Sequence, residues 1–475
     1  MVVVGAGSSG AVVAARLSEE PGRRVLLLEA GPDFPDEAAS PPAFLTGGNL
    51  LGRDYAGVGA ATPDLDWGYL GEPLANGRRV HHRRGRLVGG TSMINGCVAV
   101  RGAPGDFDRW REHGAPGWGW ADVRPAFERL EREVPIRRYR PEQWQPIARA
   151  FVDGFEELGF RRVEVMNGPE SWSGVVGAWP QSRLSEVRQG TLVTYVRRAR
   201  PRPNLEVRGG CLADRLLLSG GRATGVRYRD SRNRARKVSA DVVVLSAGVY
   251  GSAAVLLRSG VGPASELRAV GIEPVADLPV GRGLMEHPQC VFLLRTPPGL
   301  AEMCGPGFAA VARGDGWFSF PLALDEEEGI CGVSFGLASE DRSGTVSLTS
   351  TDPAAAPSID HRLQDVIDRG DFEGAWTTFR ELVTTRALAY RGARNSDGGR
   401  QLRDVLLERM GTAFHPAGGC SIGRVVDEDL QVYGIEGLVV ADASVFPLHV
   451  TNNPNLTCIM VGERAAEKIT CASRR

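Results

Sequence analysis

His415 in AFHPAGG and Asn453 in NNPNLT, 38 residues further on, are the side chains best suited to proton chemistry on a bound small molecule. A histidine followed by proline and glycine belongs to a turn rather than to an apolar helix face. Its imidazole titrates near neutral pH, as a general base must. Asn453 precedes Pro454, whose ring pushes it toward an extended backbone, so its side chain is expected at a helix start. In isolation each residue reads more often as structural. The other six histidines, His81, His82, His113, His287, His361 and His449, read as structural or solvent-exposed. No HExxH, H-x-E-x-H or Cys/His cluster argues for a metal.

A second constellation opens the chain. GAGSSG spans Gly5–Gly10, and a lone G-x-G-x-x-G carries little weight among 61 glycines. Its context carries more. Val2–Val4 read as a strand before it, Ala11–Leu17 as a helix after it, and Val25–Leu28 as a second strand ending at Glu29. That is the spacing of a βαβ unit with parallel strands, the first one short because the chain begins inside it. Gly5 permits the tight turn, Gly7 lets the backbone approach a pyrophosphate, and Gly10 lets the helix pack on the strand. Ser8 and Ser9 complete the turn, whose helix start aims free N–H groups at phosphates. Glu29 is placed to accept both ribose hydroxyls of an adenosine. The motif points to a dinucleotide without separating FAD from NAD. In GRLVGGTSMIN (85–95), Gly90, Thr91, Ser92 and Asn95 offer a row of donors suited to a phosphate or a flavin edge.

These residues need a large scaffold, and 475 residues with 42% hydrophobic content supply two or three domains' worth. The balance of 56 basic against 57 acidic residues gives no electrostatic footprint for nucleic acid. No apolar run nears the ~18 residues of a membrane span, and the N-terminus does not read as a signal peptide. Eight cysteines without C-x-x-C spacing read as scattered thiols, with a reducing cytoplasm as the expected setting. Residues 32–100 read as a long Gly/Pro-rich segment that wraps a ligand. Helices are expected over 119–132, 147–158, 362–410 and near 460–469, with buried strands at 241–246 and 437–442. Residues 204–218 and 223–228 are expected to form one hairpin, and 289–360 to hold an antiparallel sheet.

Taken in order along the chain, these motifs resemble the glucose–methanol–choline (GMC) oxidoreductase family. VVVGAGSSGAVVAARLSE, DWGYLGEP (66–73), GRLVGGTSMINGCVAVRG (85–102), PVGRGLMEHP (279–288), FHPAGGCSIG (414–423), GLVVADASVFP and NPNLT carry the likeness. The resemblance implies an α/β fold. A doubly wound, Rossmann-like FAD domain (1–140, 195–285 and 405–475) would carry an α+β substrate domain on a mostly antiparallel sheet (141–194 and 286–404). It matches Gly5, Gly7, Gly10 and Glu29 to the ADP fingerprint, and Leu212 to a strand whose backbone meets adenine. Gly90, Thr91, Ser92 and Asn95 match the loop along pyrophosphate and flavin. Asp442 and Ala443 match a turn by the phosphates and ribityl chain, with Asn453 and Pro454 at the flavin. His415 and Asn453 match the catalytic pair. Ile94 stands where some members carry a histidine bonded to FAD, so noncovalent FAD is implied.

The implied reaction is oxidation of an alcohol to an aldehyde or ketone, with oxygen or another carrier reoxidising the flavin. A sugar or other secondary-metabolite hydroxyl is a candidate substrate, and a peptide-derived redox carrier a candidate acceptor. A non-redox lyase on the same scaffold, and a flavoprotein that only binds, are the alternatives.

Overall fold

The computed structural model describes residues 1–36, 38, 40, 63–168, 172–185, 187–338 and 342–473. Val2–Val4 (β1), Gly10–Leu17 (α1) and Val25–Leu28 (β2) form the expected opening unit, its strands parallel with Val2 beside Leu26. Leu205–Arg208 (β3) adds beside β2, Val243–Leu245 (β4) beside β1, and Leu438–Val440 (β5) beside β4, all parallel. β1, β2, β4 and β5 are unbroken apolar runs because both faces of the sheet are covered. The order is β3-β2-β1-β4-β5, which reverses between β1 and β4. A doubly wound sheet opens its ligand crevice at such a point, beyond the carboxyl ends of the strands. Gly248–Arg258 (α2) follows β4, and Asn455–Ala472 (α3) packs against α1.

A second, eight-stranded sheet is built mainly from Pro288–Arg295, Ala310–Gly314, Trp317–Asp325 and Ile330–Leu337 in antiparallel pairing. Residues alternate between its faces. Ala323 packs into a core with the helices Pro146–Glu157 and Glu373–Thr384. Phe318, Phe320 and Leu322 turn the other way and pack with Val98, Trp179 and Val311. That second face is the one toward the crevice.

Three expectations change. Residues 204–218 are not one arm of a hairpin. The chain breaks at Gly209–Gly210, so Leu205–Arg208 joins the parallel sheet as β3, and only Leu212–Ser219 pairs with Arg222–Arg229. Gly344–Ser347 and Ser358–Asp360, expected with the substrate part, instead pair with each other, and Gly344–Ser347 pairs on its other edge with Arg282–Met285, which continues the sheet to Ala417–Gly419. Their Val346 and Ile359 are buried in the core of the parallel sheet. The last helix runs well beyond 460–469, from Asn455 to Ala472. Of the 32–100 segment, residues 37, 39 and 41–62 lie outside the described residues. Among the described residues no helix is long and apolar enough to cross a membrane.

Candidate active site

The turns after β1 and β4 meet at the crevice. Gly5 has φ +93°, and a Cβ on it would lie 2.3 Å from the Ser246 carbonyl oxygen, so only glycine closes the turn. A Cβ on Gly10 would lie 2.0 Å from the Gly5 carbonyl oxygen, which fixes how closely α1 sits on the turn. Gly7 differs: a Cβ there would meet nothing within 4 Å and would project toward open space. Across the cleft, a Cβ on Gly90 would lie 2.7 Å from the Gly7 Cα, so the two glycine loops touch. A backbone cradle open beside Gly7 fits a pyrophosphate.

One cavity is lined by these turns, by Glu29 and by His415 and Asn453. Burial pushes the Glu29 carboxyl up to about 7, although the Ala6 and Gly31 N–H groups donate to its two oxygens (2.9 Å each). Leu212 lines the cavity near Glu29, where the Cys211 N–H donates to the Glu29 carbonyl oxygen. Ser8 and Ser9 also line it, their hydroxyls donating to Asn455 Oδ1 (2.9 Å) and the Cys458 carbonyl (2.7 Å) at the start of α3. Asp442 and Ala443 sit where β5 ends. The Asp442 carboxylate accepts from the N–H groups of Gly248 and Ser444 and from the Ser252 hydroxyl, tying the β5 turn to α2. Thr91, Ile94, Asn95 and Pro454 line the middle.

Two expected cofactor residues do not line the cavity. Gly10 serves helix packing, as above. Ser92 is buried, its hydroxyl donating to the Gly89 carbonyl (2.6 Å) and accepting from the Thr191 N–H (2.9 Å). It shapes the loop rather than facing a ligand. Arg188, not among the expected site residues, holds the same loop by donating to the Asn95 carbonyl (2.5 Å) and side-chain oxygen (2.8 Å).

At the far end, His415 Nε2 lies 2.9 Å from Asn453 Nδ2. An amide N–H can only donate, so Nε2 presents its lone pair. A neutral ring carries one proton, which is therefore on Nδ1, 3.0 Å from His287 Nδ1. Glu286 Oε1 accepts from both the His287 and His415 backbone N–H groups, 2.8 Å each, and locks the two segments together. His449 Nε2 donates to the His415 carbonyl (2.5 Å), and its ring lies against His287 at 3.8 Å, tilted by 33°. His287 and His449, read from the sequence as structural or solvent-exposed, are buried against His415. They are 128 and 34 residues from His415 in the chain, and no local pattern reveals that the three meet.

Burial holds the His415 pKa well below 6.5, with His449 and Arg84 adding to the effect. The near-neutral titration expected from the sequence is displaced downward, because this turn is enclosed rather than wet. Beside this group, His82, Glu286 and His361 bring one potential metal-ligand atom each within 4.8 Å of one another. The positive charge of Arg84 acts on all three and opposes a cation there.

Residues 1–289 match the N-terminal model, and residues 339–462 the C-terminal model, of the GMC oxidoreductases. The chain is 32% identical to the oxygen-dependent choline dehydrogenase of Sinorhizobium medicae, covering 98% of this chain and 95% of the relative. Pyridoxine 4-oxidase from Mesorbium loti superposes with a TM-score of 0.85 at 27% identity over 99% of each chain. Formate oxidase of Aspergillus oryzae, at 22% identity and a TM-score of 0.86 over 100% of this chain and 98% of its own, shares the fold. A Rossmann crevice ending in a histidine–asparagine pair, family models over most of the length and a full-length relative agree: the chain belongs to the GMC oxidoreductase family of FAD-dependent enzymes that act on CH–OH donors.

Proposed function

We propose that this chain oxidises an alcohol to an aldehyde or ketone, with His415 as the base and Asn453 as the group that holds the alcohol oxygen. The observation that carries this reading is the 2.9 Å Nε2–Nδ2 pair facing the cavity that the glycine turns also line. Bound FAD supplies the hydride acceptor. An alcohol hydroxyl that inserts between the two would take the place of the Asn453 N–H on the Nε2 lone pair and give its proton there, while the freed Asn453 N–H would donate to the alcohol oxygen as negative charge builds on it. The Nδ1–H of His415 already points at His287 Nδ1, which shares the charge that arrives on the ring. Gly5, Gly7, Ser8, Ser9 and Gly90 would cradle the pyrophosphate, and Glu29 and Leu212 would meet the adenosine. Thr91, Asn95, Asp442, Ala443 and Pro454 would flank the rest of the cofactor.

Ile94 lines the cavity at the position of a bonding histidine and has no nucleophilic atom, which supports noncovalent FAD. The relatives' choline, a sugar or another metabolite alcohol all belong to this reaction class. Oxygen or another carrier would take the electrons. Five buried, unpaired cysteines support a reducing compartment. No observation favours a lyase.

The pH dependence tests the base. A histidine whose pKa is depressed stays neutral, and so able to accept a proton, down to well below pH 6.5. The rate of flavin reduction is therefore expected to be level from neutrality upward and to fall only on the acid side. Stopped-flow reduction across the pH range checks this. A rate that keeps climbing through roughly pH 7 to 9 would mean that a different, higher-pKa group accepts the proton.

A further inference from the structure

The large sheet and the segments that join its strands bring four aromatic rings to the cavity, Phe318 and Phe320 from a strand, Trp179 and Phe308 from just outside two others. Phe318 and Phe320 alternate with Ser319 along their strand and so share its crevice-side face. The Phe318 ring lies 6.0 Å from the His415 ring. Phe320 lies 5.0 Å from Trp179 and 5.0 Å from Phe308. All four rings line the cavity.

Phe308 is held there against a backbone cost. Its φ is +53°, a left-handed conformation unusual for a bulky residue. Such strain persists where the surroundings over-determine it. The Gln181 amide donates to the Phe308 carbonyl at 2.8 Å, and the ring seats on Gly96, where a Cβ would lie 2.9 Å from the ring edge.

The charged side chain that lines this end beside the base is a guanidinium; the Glu286 carboxyl lies behind His415, outside the cavity lining, with Oε1 taken by the His287 and His415 backbone N–H groups. Among the described residues that line the cavity, the carboxylates are Glu29 and Asp442, both at the cofactor turns. Arg84 donates to the Phe414 carbonyl at 2.5 Å, beside the base. Gln289, an uncharged amide, is the polar residue that the sheet contributes. A cationic alcohol would lose its hydration here and find a guanidinium in place of a counter-ion, a deficit that ring faces alone do not offset. A sugar would bring several hydroxyls to walls that offer few partners.

We propose that the chamber selects an uncharged, flat aromatic alcohol of the arylmethanol class, with Phe308 as the specificity-determining ring. This rests on the alcohol-oxidation reading, so its test uses probes that cannot be oxidised as alcohols. Benzyl methyl ether, cyclohexylmethyl methyl ether and tetramethylammonium are titrated into the oxidised holoenzyme, and the bound flavin's absorption is followed. The benzyl ether is expected to bind roughly ten-fold tighter than either of the others. Phe308→Leu should remove that preference at unchanged FAD content, and Phe308→Tyr should keep it. Equal or tighter binding of tetramethylammonium or of the cyclohexyl ether overturns the proposal, as does a Phe308→Leu variant that still prefers the benzyl ether. If the preference holds but no alcohol reduces the flavin, the aromatic site stands and the oxidation reading falls.

Discussion

Replacing His415 by alanine is expected to slow flavin reduction by at least ~100-fold, about 2.7 kcal/mol of barrier, with FAD still bound. The size follows from what the ring does. Nε2 is the basic atom that the geometry sets directly against Asn453 at the cavity. Retention of FAD follows from position: the ring hydrogen-bonds Asn453 and His287, away from the glycine turns. Asn453→Ala should cost less, since an amide orients the oxygen and steadies its charge but cannot take the proton. The ordering separates the two roles. Reduction by a true substrate at wild-type speed in His415→Ala would place the base elsewhere.

Gly7→Val is expected to give a folded protein with FAD content below about a tenth of wild type. The three glycines of the turn do different work, and only this one isolates cofactor binding. A side chain on Gly5 or Gly10 would strike backbone at 2.3 or 2.0 Å and break the turn itself. A Cβ on Gly7 meets nothing within 4 Å beyond its chain neighbours, so the fold is expected to tolerate it, and the side chain would occupy the space in which the turn's backbone N–H groups would meet the pyrophosphate. Flavin absorbance per protein, together with an unchanged circular dichroism spectrum, checks this. Full FAD content in the variant would show that the pyrophosphate lies elsewhere.

Much of this was legible because the parallel sheet writes itself locally. Val2–Val4, the glycine turn and Val25–Leu28 need only their neighbours in the chain to form a βαβ unit, and Glu29 falls at the end of β2 by counting. The pair of His415 and Asn453 was legible through order along the chain, not through spacing. What stayed hidden depends on contacts distant in sequence. β3 looked like hairpin because its partner, β2, lies some 180 residues earlier; the Gly209–Gly210 break was the available clue. Val346 and Ile359 alternate as any half-buried strand does, and that pattern does not say which core they enter. Ser92 belongs to a donor-rich loop, yet which of its hydroxyls turn outward is decided by Thr191, on a distant segment. The depressed pKa of His415 has the same origin. Proline and glycine announce a turn, but the strands and histidines that bury it come from elsewhere.

The central claim is that an alcohol gives its α-hydrogen to the bound flavin while His415 takes its proton. Its most direct test is anaerobic mixing of the wild-type holoenzyme with a panel of alcohols, each also as its α-deuterated form. The account predicts that the oxidised-flavin band bleaches, that one equivalent of aldehyde or ketone forms per flavin, and that deuterium at the reacting carbon slows the bleaching. Carbonyl product released while the flavin stays oxidised, at a rate indifferent to deuterium, would contradict it and assign the scaffold to a cleavage reaction.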